Sequence, residues 1–402
     1  MLDNAQEKPV EAESRFAPSG SARRAAFRFV CQALSGRTTR LPLGPEETHG
    51  IDWLCVAEQA NRERVLPNLF AAFERQGWPG GLPADFRDYL SLVHEANTAQ
   101  NRRIRAQVLE LGDILAAAKV PFALLKGANW LMEAADDIGD RQLIDIDLVV
   151  APDAWQTALG AMEGAGFRPA APSELYARHF HYVPLVRPAD PVTVELHRHL
   201  GWQRHVLTPQ EVIATAEPLR HAPSIGIMSP MHRFVFGCLH AELQNMAYGA
   251  GVFSLRDLLD IQQLRDRKDD AFDWPAIAAL ARERGIFRYL AAPLHLAGRL
   301  LGSPIPEAFA RSRRARLHAL RCLAQRRLDP GRQLGRLAVK IAWILDSRRH
   351  AYERDCERAP WPLRQAAIAS GRLEAILAAA SGRKRSATLP SQTNAADRQP
   401  TP

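Results

Sequence analysis

The stretch LLKGANWLMEAADDIGDRQLIDIDLVV (Leu124–Val150) contains the two patterns that decide the fold. Its beginning completes VPFALL (Val120–Leu125), an apolar run before Gly127 that is typical of a short buried strand. NWLMEAA then predicts a helix starting at Gly127, and LIDIDLVV (Leu143–Val150) predicts a second strand. The stretch therefore predicts the start of a compact α/β unit.

Two further strands and a helix extend this unit. PDAWQTALGAMEGAGF predicts a helix with proline near its start and glycine at its end, and HFHYVPLV and VTVELHRHL predict strands. On both sides the apolar spacing is helical, with one long helix from Pro83 to about Lys119. The predicted class is α+β. The predicted organisation is a disordered N-terminus (1–24), an N-terminal helical region (25–119), a mixed-sheet core (120–205), a C-terminal helical domain (206–379) and a disordered tail (380–402).

Composition restricts the cellular setting. The chain has 402 residues and five cysteines that lie far apart without a CxxC pair, which favours a reducing cytosol over a zinc ribbon or a disulfide framework. The first residues are polar and acidic, unlike a signal peptide, and no apolar run reaches membrane-spanning length. We therefore expect a cytoplasmic protein. Its net charge of +8 suits a polyanionic ligand without requiring nucleic acid.

Asp145 and Asp147 stand where a buried strand would normally hold apolar residues. Residues two apart in a strand point to the same side, so both carboxylates face one way, while Ile144, Ile146 and Leu148 face the core. Such a pair is unfavourable unless a positive charge lies nearby, and oxygen ligands favour Mg²⁺ or Mn²⁺. A pair of solvent-facing residues on a half-exposed strand is the alternative.

The turn between the first strand and the helix suits phosphate. Backbone N–H groups at a helix N-terminus attract anions, Gly127 permits close approach, and Lys126 adds positive charge. An ordinary strand-to-helix turn with a surface lysine is the alternative. VTVELHRHL adds a third carboxylate, Glu195, on the strand face shared with His197. Carboxylates on neighbouring strands can hold metal ions for phosphoryl or nucleotidyl transfer.

The pattern LLKG…R…DIDLVV, followed by VELH, resembles an uncharacterised family of bacterial nucleotidyltransferases with the DNA-polymerase-β-like fold. The likeness spans about Ile51 to Gly285. It implies a polymerase-β-like mixed sheet between the helical regions. It also implies that Asp145 and Asp147 are the metal pair, with Glu195 as the third acid.

The resemblance also implies a nucleotide-binding group. Gly127 would be the turn glycine, with Lys126 and Arg141 beside the phosphates. The wider superfamily has a Gly-Ser turn, whereas here Ala128 follows Gly127, so the serine contact to phosphate is missing and Lys126 would replace it as a point charge. Arg141 would either bind phosphate or pair with an aspartate to hold the loop.

The histidines allow a different site. His179 and His181, and His197 and His199, are spaced two apart and with Glu195 would suit a zinc hydrolase, although no HExxH-type helix supports it. The family interpretation makes His197 a neighbour of the third acid or a contact to the acceptor. His240 is the other candidate for that role, with core packing as its alternative.

Two arginine patterns have simple explanations. Arg256 and Asp260 are four residues apart, as in a helix salt bridge, although they also match the family pattern. The segment 311–336 holds nine arginines. It would receive an acidic acceptor or form solvated helix faces, and the solvated faces are favoured.

The sequence thus predicts a Mg²⁺- or Mn²⁺-dependent nucleotidyltransferase that moves a nucleoside monophosphate from an NTP to an acceptor. The acceptor is a small molecule, a peptide or a protein, and by resemblance belongs to peptide natural-product biosynthesis. Basic segments without interleaved aromatic residues argue against nucleic acid. The rival is a catalytically degenerate module that binds nucleotide or serves as a scaffold, which the missing serine supports.

Overall fold

A computed structural model describes residues 19–35, 45–134, 138–172, 180–201 and 206–327. The predictions for residues 1–18, for His179 and for the tail 380–402 lie outside these ranges. Most of the arginine-rich segment 311–336 is described, and its residues Arg313–Arg327 form a helix.

Helices dominate the described chain on both sides of the sheet, which confirms the α+β class. They are α1 (Gly20–Ala33), α2 (Pro45–Thr48), α3 (Trp53–Arg62), α4 (Leu66–Gln76), α5 (Ala84–Ala117), α6 (Lys126–Glu133), α7 (Trp155–Gly164), α8 (Pro209–Ala214), α9 (Pro230–Leu239), α10 (Ala247–Ala250), α11 (Leu255–Lys268), α12 (Trp274–Glu283), α13 (Phe287–Leu300), α14 (Glu307–Ala310) and α15 (Arg313–Arg327). Short 3₁₀ turns cover Pro152–Ala154 and Asp269–Ala271, and a π-helical turn covers His240–Gln244.

Two of the N-terminal helices, α1 and α3, begin where polar side chains cap them. Helix α1 starts inside the segment predicted to be disordered, because the Ser19 side chain accepts a hydrogen bond from the backbone N–H of Ala22. Asp52 caps α3 through the N–H of Cys55 in the same way. The long helix predicted from Pro83 to Lys119 is confirmed as α5.

Within the described ranges, seven strands form one mixed sheet in the order β3-β4-β5-β2-β1-β7-β6. The strands are β1 (Phe122–Leu124), β2 (Asp145–Val150), β3 (Arg168–Pro169), β4 (Leu185–Val186), β5 (Thr193–His197), β6 (Glu217–Leu219) and β7 (Ala222–Ile227). Strand β2 runs antiparallel to β1 and parallel to β5. The predicted strand HFHYVPLV is shortened to β4, and His181 adds one isolated bridge to His197.

The sheet extends past residue 205, where the sequence analysis ended the core. Strand β7 lies parallel to β1 and antiparallel to β6. Both strands are short, contain proline and lack a clean alternation of apolar and polar residues. Their strand conformation depends on pairing with β1, about a hundred residues earlier, which local patterns do not reveal.

The two faces of the sheet have different contents. One face packs against α5 and α7 through Leu124, Ile146 and Leu148. Ile144, predicted to face the core, precedes β2 and is exposed. The other face carries Val149 in a smaller apolar cluster that includes residues of α8 and α9. Because side chains alternate, Asp145 and Asp147 share the face of Val149.

The N-terminal and C-terminal helices share one apolar core. Their buried residues form a single cluster that combines α1, α3 and α4 with α11, α13 and α15; members include Val30, Val56, Leu69, Leu258, Leu296 and Cys322. The α/β core is therefore held by helices from both parts of the chain that also pack against each other.

Cys31, Cys55, Cys238 and Cys322 are free and buried among the described residues. Across the same part of the chain, no helix combines the length and the apolar character needed to cross a membrane.

Candidate active site

The pairing of β2 with β5 brings the predicted acids together. In this parallel register Asp147 lies opposite Glu195, and Val149 lies opposite His197. Glu195 and His197 are two residues apart in β5, so they project from the same face. The arrangement places one carboxylate of β2 beside a carboxylate and an imidazole of β5.

The three side chains are within coordinating reach of one another. His197 Nε2 lies 2.9 Å from Asp147 Oδ1 and 3.9 Å from Glu195 Oε2. One potential ligand atom from each of the three residues lies within 4.8 Å of the other two. Among the described acids, histidines and cysteines, this is the group close enough to share a metal ion. Asp147 and His197 are buried, whereas Glu195 keeps part of its side chain exposed.

Asp145 is outside this group of three, although it lies on the same strand and face. Its carboxylate is partly exposed at the start of β2, opposite Thr193. The resemblance implies that Asp145 and Asp147 are the metal pair and that His197 neighbours the third acid, Glu195. In the structure His197 also contacts Asp147.

Lys126 supplies positive charge at the same point. Its Nζ lies 2.7 Å from Asp147 Oδ1, so its ammonium contacts a carboxylate, whereas the sequence analysis directed it to phosphate. Lys126 has a φ of 45°, a left-handed conformation that costs a non-glycine residue about 1 kcal/mol. The ion pair helps to offset this strain and fixes the lysine at the junction of β1 and α6.

The charges in the cluster are unevenly compensated. Burial alone would raise the pKa of Asp147, but the Lys126 ammonium and the His197 hydrogen bond hold it well below its usual range. Burial and the Asp147 charge raise the pKa of Glu195 to about 8 and also raise the pKa of Asp145. Two carboxyls with raised pKa beside an ionised one indicate a place that accepts further positive charge.

The cluster fits a divalent cation on the chemistry of its donors. Asp147 and Glu195 offer carboxylate oxygens, and His197 offers an imidazole nitrogen. Carboxylates suit Mg²⁺ and Mn²⁺, and one imidazole extends the range towards softer ions such as Mn²⁺ and Zn²⁺. His181 Nε2 lies 3.6 Å from Glu195 Oε2, so one histidine of the HFH segment also borders the cluster.

Arg141 packs against Gly127 and connects the loop before β2 to helix α11. Arg141 is buried and donates two hydrogen bonds to Asp260 of α11, from Nε to Oδ1 and from Nη2 to Oδ2, each 2.8 Å long. Of its two predicted roles, the structure shows the pairing with an aspartate. A Cβ at Gly127 would collide with the Arg141 guanidinium, so the glycine makes room for arginine.

Helix α5 holds the loop that carries Arg141. The side-chain amides of Asn97 and Asn101 donate to backbone carbonyls of the loop, including that of Arg141. Asp140, the neighbouring residue, is held by Arg75 at 2.9 Å and by His94 at 3.2 Å. Since the loop leads directly into β2, these contacts set the position of the strand that presents Asp147.

His240 lies close to this cluster, in the π-helical turn after α9. Burial, followed by the positive charge of Lys126, lowers the pKa of His240 to about 3. The histidine is therefore neutral at ordinary pH. It lines a cavity that also includes Lys126 and Arg141.

Sequence reasoning missed two features. It paired Asp260 with Arg256 across one helical turn, whereas both Asp260 oxygens accept from Arg141, 119 residues away. It also missed the ammonium contact between Lys126 and Asp147. The opposite charges of the LKG turn and the strand aspartate were the only available signal, and no local spacing connects them.

A mixed sheet that carries carboxylates and an imidazole on adjacent strands, beside a basic turn, offers the donor groups that sites of phosphoryl and nucleotidyl transfer use. The model of a family described as uncharacterised nucleotidyltransferases matches residues 49–302, which is more than half of the chain. The protein belongs to this family, and the matched range contains every candidate residue discussed above. Comparisons with curated proteins and with solved structures returned no match.

Proposed function

We propose that this protein transfers a nucleoside monophosphate from an NTP to an acceptor nucleophile. The contact of Asp147, Glu195 and His197 beside Lys126, within a chain of the nucleotidyltransferase family, is the observation that supports the proposal. In the reaction an acceptor oxygen forms a bond to the α-phosphorus as the bond to the bridging oxygen breaks. Pyrophosphate leaves, and the acceptor proton passes to a carboxylate oxygen of Glu195.

Asp147, Glu195 and His197 would hold a divalent cation, Mg²⁺ or Mn²⁺, and Asp145 would contribute to a second one from the same strand face. A bound cation would neutralise charge on the triphosphate and lower the pKa of the attacking hydroxyl. Lys126 would stabilise negative charge on the phosphates from the end of β1. The N–H groups at the start of α6 would orient the phosphates.

The acceptor is proposed only by class, as a hydroxyl or similar nucleophile on a small molecule, peptide or protein. The partly exposed carboxylate of Glu195 marks the side from which this nucleophile would approach. Peptide natural-product biosynthesis is the setting that the family resemblance suggests.

Label transfer tests the proposal. Purified protein, Mg²⁺ or Mn²⁺ and a cell extract as the source of acceptor are incubated with each NTP carrying label on the α- or γ-phosphate. Label from the α-position should enter a product with the wild type and fall to background with Asp147→Asn. Asp113→Asn, an exposed substitution on α5, is the control. Transfer of γ-label, or full activity of Asp147→Asn, would contradict the proposal.

A module that binds nucleotide without transferring it is the second candidate. The direct contact of Lys126 with Asp147, together with the missing serine at Ala128, favours it. Binding of NTP without α-label transfer under any metal condition would select this alternative.

A further inference from the structure

A cavity of about 410 Å³ lies beside the carboxylate cluster. Its walls come from α6, α9 and α11, and Lys126 and His240 line it. Because Lys126 also contacts Asp147, the cavity and the cluster are adjacent. Its size lies within the range of small-molecule sites, about 300–1,000 Å³.

Most charges that line the cavity are already paired. Glu133 accepts from Arg233 and lies 3.6 Å from Lys268. Asp260 is occupied by Arg141 through both oxygens. Asp257 is the third acidic residue of the wall, and Lys126 pairs with Asp147 of the cluster. The wall has six lysine and arginine residues against three acidic ones, so basic charge is in excess.

Arg256 is a cation of the wall with an unused hydrogen-bond donor. Its Nη1 is buried and has no hydrogen-bond partner among the described residues, and the oxygens of Asp260, one turn along α11, accept from Arg141. Burial and the charge of Arg141 lower the pKa of Arg256, although the charges of Asp260 and Asp257 act in the opposite direction. A guanidinium keeps its charge in a protein, and a buried donor of such a group is destabilising when it has no partner. An anionic ligand in the cavity would remove this cost.

Two more polar atoms in the wall are also buried without a partner within the described chain, Trp130 Nε1 and Gln263 Oε1. They offer one donor and one acceptor. Arg256 and Gln263 are seven residues apart on α11, which puts them on the same helix face about 10 Å apart along its axis. The cavity lining also includes the apolar side chains of Phe234, Phe236 and Leu264.

We propose that this cavity is the nucleotide subsite, in which Arg256 binds the polyphosphate while Trp130 and Gln263 contact the nucleoside. An anionic end, a hydrogen-bonding end and an apolar wall match the three parts of a nucleoside triphosphate. The inference rests on the proposed function and adds the residues that select the donor substrate. Arg141 also lines the cavity, but its two hydrogen bonds to Asp260 assign it to positioning the loop.

Calorimetry with the full chain and Mg²⁺ tests the subsite, using the four NTPs, inorganic tripolyphosphate and the nucleoside of the NTP that binds best. Arg256→Gln should weaken NTP and tripolyphosphate binding at least about tenfold, the effect of losing a charge-assisted hydrogen bond. Trp130→Phe should weaken NTP binding about twofold to tenfold and leave tripolyphosphate unchanged. Arg313→Gln, the same charge change at an exposed position outside the cavity, should change nothing.

Each outcome decides between the two claims. Wild-type affinity of Arg256→Gln for NTP would overturn the subsite, and loss of α-label transfer in Asp147→Asn would still support the proposed function. Weakened binding by Arg256→Gln without any transfer would keep the subsite and overturn the proposed function. A wild type that binds neither NTP nor tripolyphosphate overturns the subsite. Thermal unfolding of each variant excludes misfolding, and Trp130→Phe provides an independent result if Arg256→Gln is unstable.

Discussion

The carboxylate cluster and the neighbouring cavity have opposite electrostatic character. In the cluster, Asp147 is compensated by Lys126 and His197, while burial and the Asp147 charge raise the pKa of Glu195 and of Asp145. In the cavity, basic groups are in excess. A cation would complete the first region and an anion the second. A metal–nucleotide complex lying across both would satisfy them together.

Two arginines of the cavity wall, Arg141 and Arg256, differ in their hydrogen-bond partners. Arg141 donates two hydrogen bonds to Asp260. Arg256 lies on the same helix as Asp260, and its Nη1 has no hydrogen-bond partner among the described residues. Arg141 is buried and Arg256 half-buried, and their hydrogen-bond partners separate a structural arginine from one that is open to a ligand.

The largest expected effect comes from Asp147→Asn. The substitution removes the charge that Lys126, His197 and a cation share, while its size is nearly unchanged. We expect nucleotidyl transfer to fall about a thousandfold or more, with the fold intact. Initial rates of α-label transfer measure the loss of activity, and the circular dichroism spectrum measures whether the fold is intact. A rate within tenfold of wild type would remove the cluster from the mechanism.

Asp260→Asn tests whether Arg141 and Arg256 contribute differently to the stability of the fold. It leaves the buried Arg141 without its charge partner, so we expect the free energy of unfolding to fall by about 3–5 kcal/mol. Arg256→Gln is the matched comparison and should lower the free energy of unfolding by less than about 1 kcal/mol, or raise it, since it removes a charge whose buried Nη1 has no hydrogen-bond partner among the described residues. Urea denaturation measures both. Equal losses would show that Arg256 also has a structural role.

Lys126→Met tests whether an ammonium substitutes for a cation in the cluster. Without divalent metal, the loss of its ion pair with Asp147 should reduce the free energy of unfolding by about 1.5–3 kcal/mol. Mn²⁺ should recover much of this loss, because it binds the folded cluster and replaces the missing charge. Denaturation in EDTA and in Mn²⁺ gives the comparison. An identical deficit in both conditions would mean that no cation binds beside Asp147.

Glu242 shows how a buried carboxyl without a ligand behaves. Its Oε2 has no partner among the described residues, and burial followed by the Asp257 charge raises its pKa to about 8. Unlike Arg256, it can neutralise itself by holding a proton. The raised pKa stabilises the fold at low pH, and this contribution declines as pH rises from the unfolded-state value through about 8.

Glu242→Gln should therefore be more stable than wild type at pH 9 by on the order of 1 kcal/mol, with less advantage at pH 5. Thermal unfolding across this pH range measures the difference. A constant difference would assign the effect to packing instead of proton binding.

Sequence patterns predicted the parts of the fold that have local signals. The apolar runs gave β1 and β2, the alternation in VTVELHRHL gave β5, and helical spacing gave α5. The alternation also predicted that Glu195 and His197 share a face of β5. The contact of His197 with Asp147 required the register of β2 against β5, which no single strand specifies.

The remaining features depend on contacts between distant parts of the chain. Strand β7 forms against β1, and Arg141 reaches Asp260 on a helix that follows the whole core. An i, i+4 spacing predicted a salt bridge between Arg256 and Asp260. In the structure both Asp260 oxygens accept hydrogen bonds from Arg141, whose loop is held in place by α5. Local spacing therefore predicts possible salt-bridge partners, and tertiary packing determines which of them are in contact.

The most direct test is the metal dependence of nucleotide binding. Calorimetric titration of the NTPs into wild type and Asp147→Asn, each with Mg²⁺ and with EDTA, compares the cluster and the cavity in one experiment. The account predicts binding by the wild type that strengthens with Mg²⁺, and loss of the Mg²⁺ effect in Asp147→Asn. Nucleotide binding that is indifferent to both Mg²⁺ and Asp147, or no binding by the wild type at millimolar nucleotide, would contradict it.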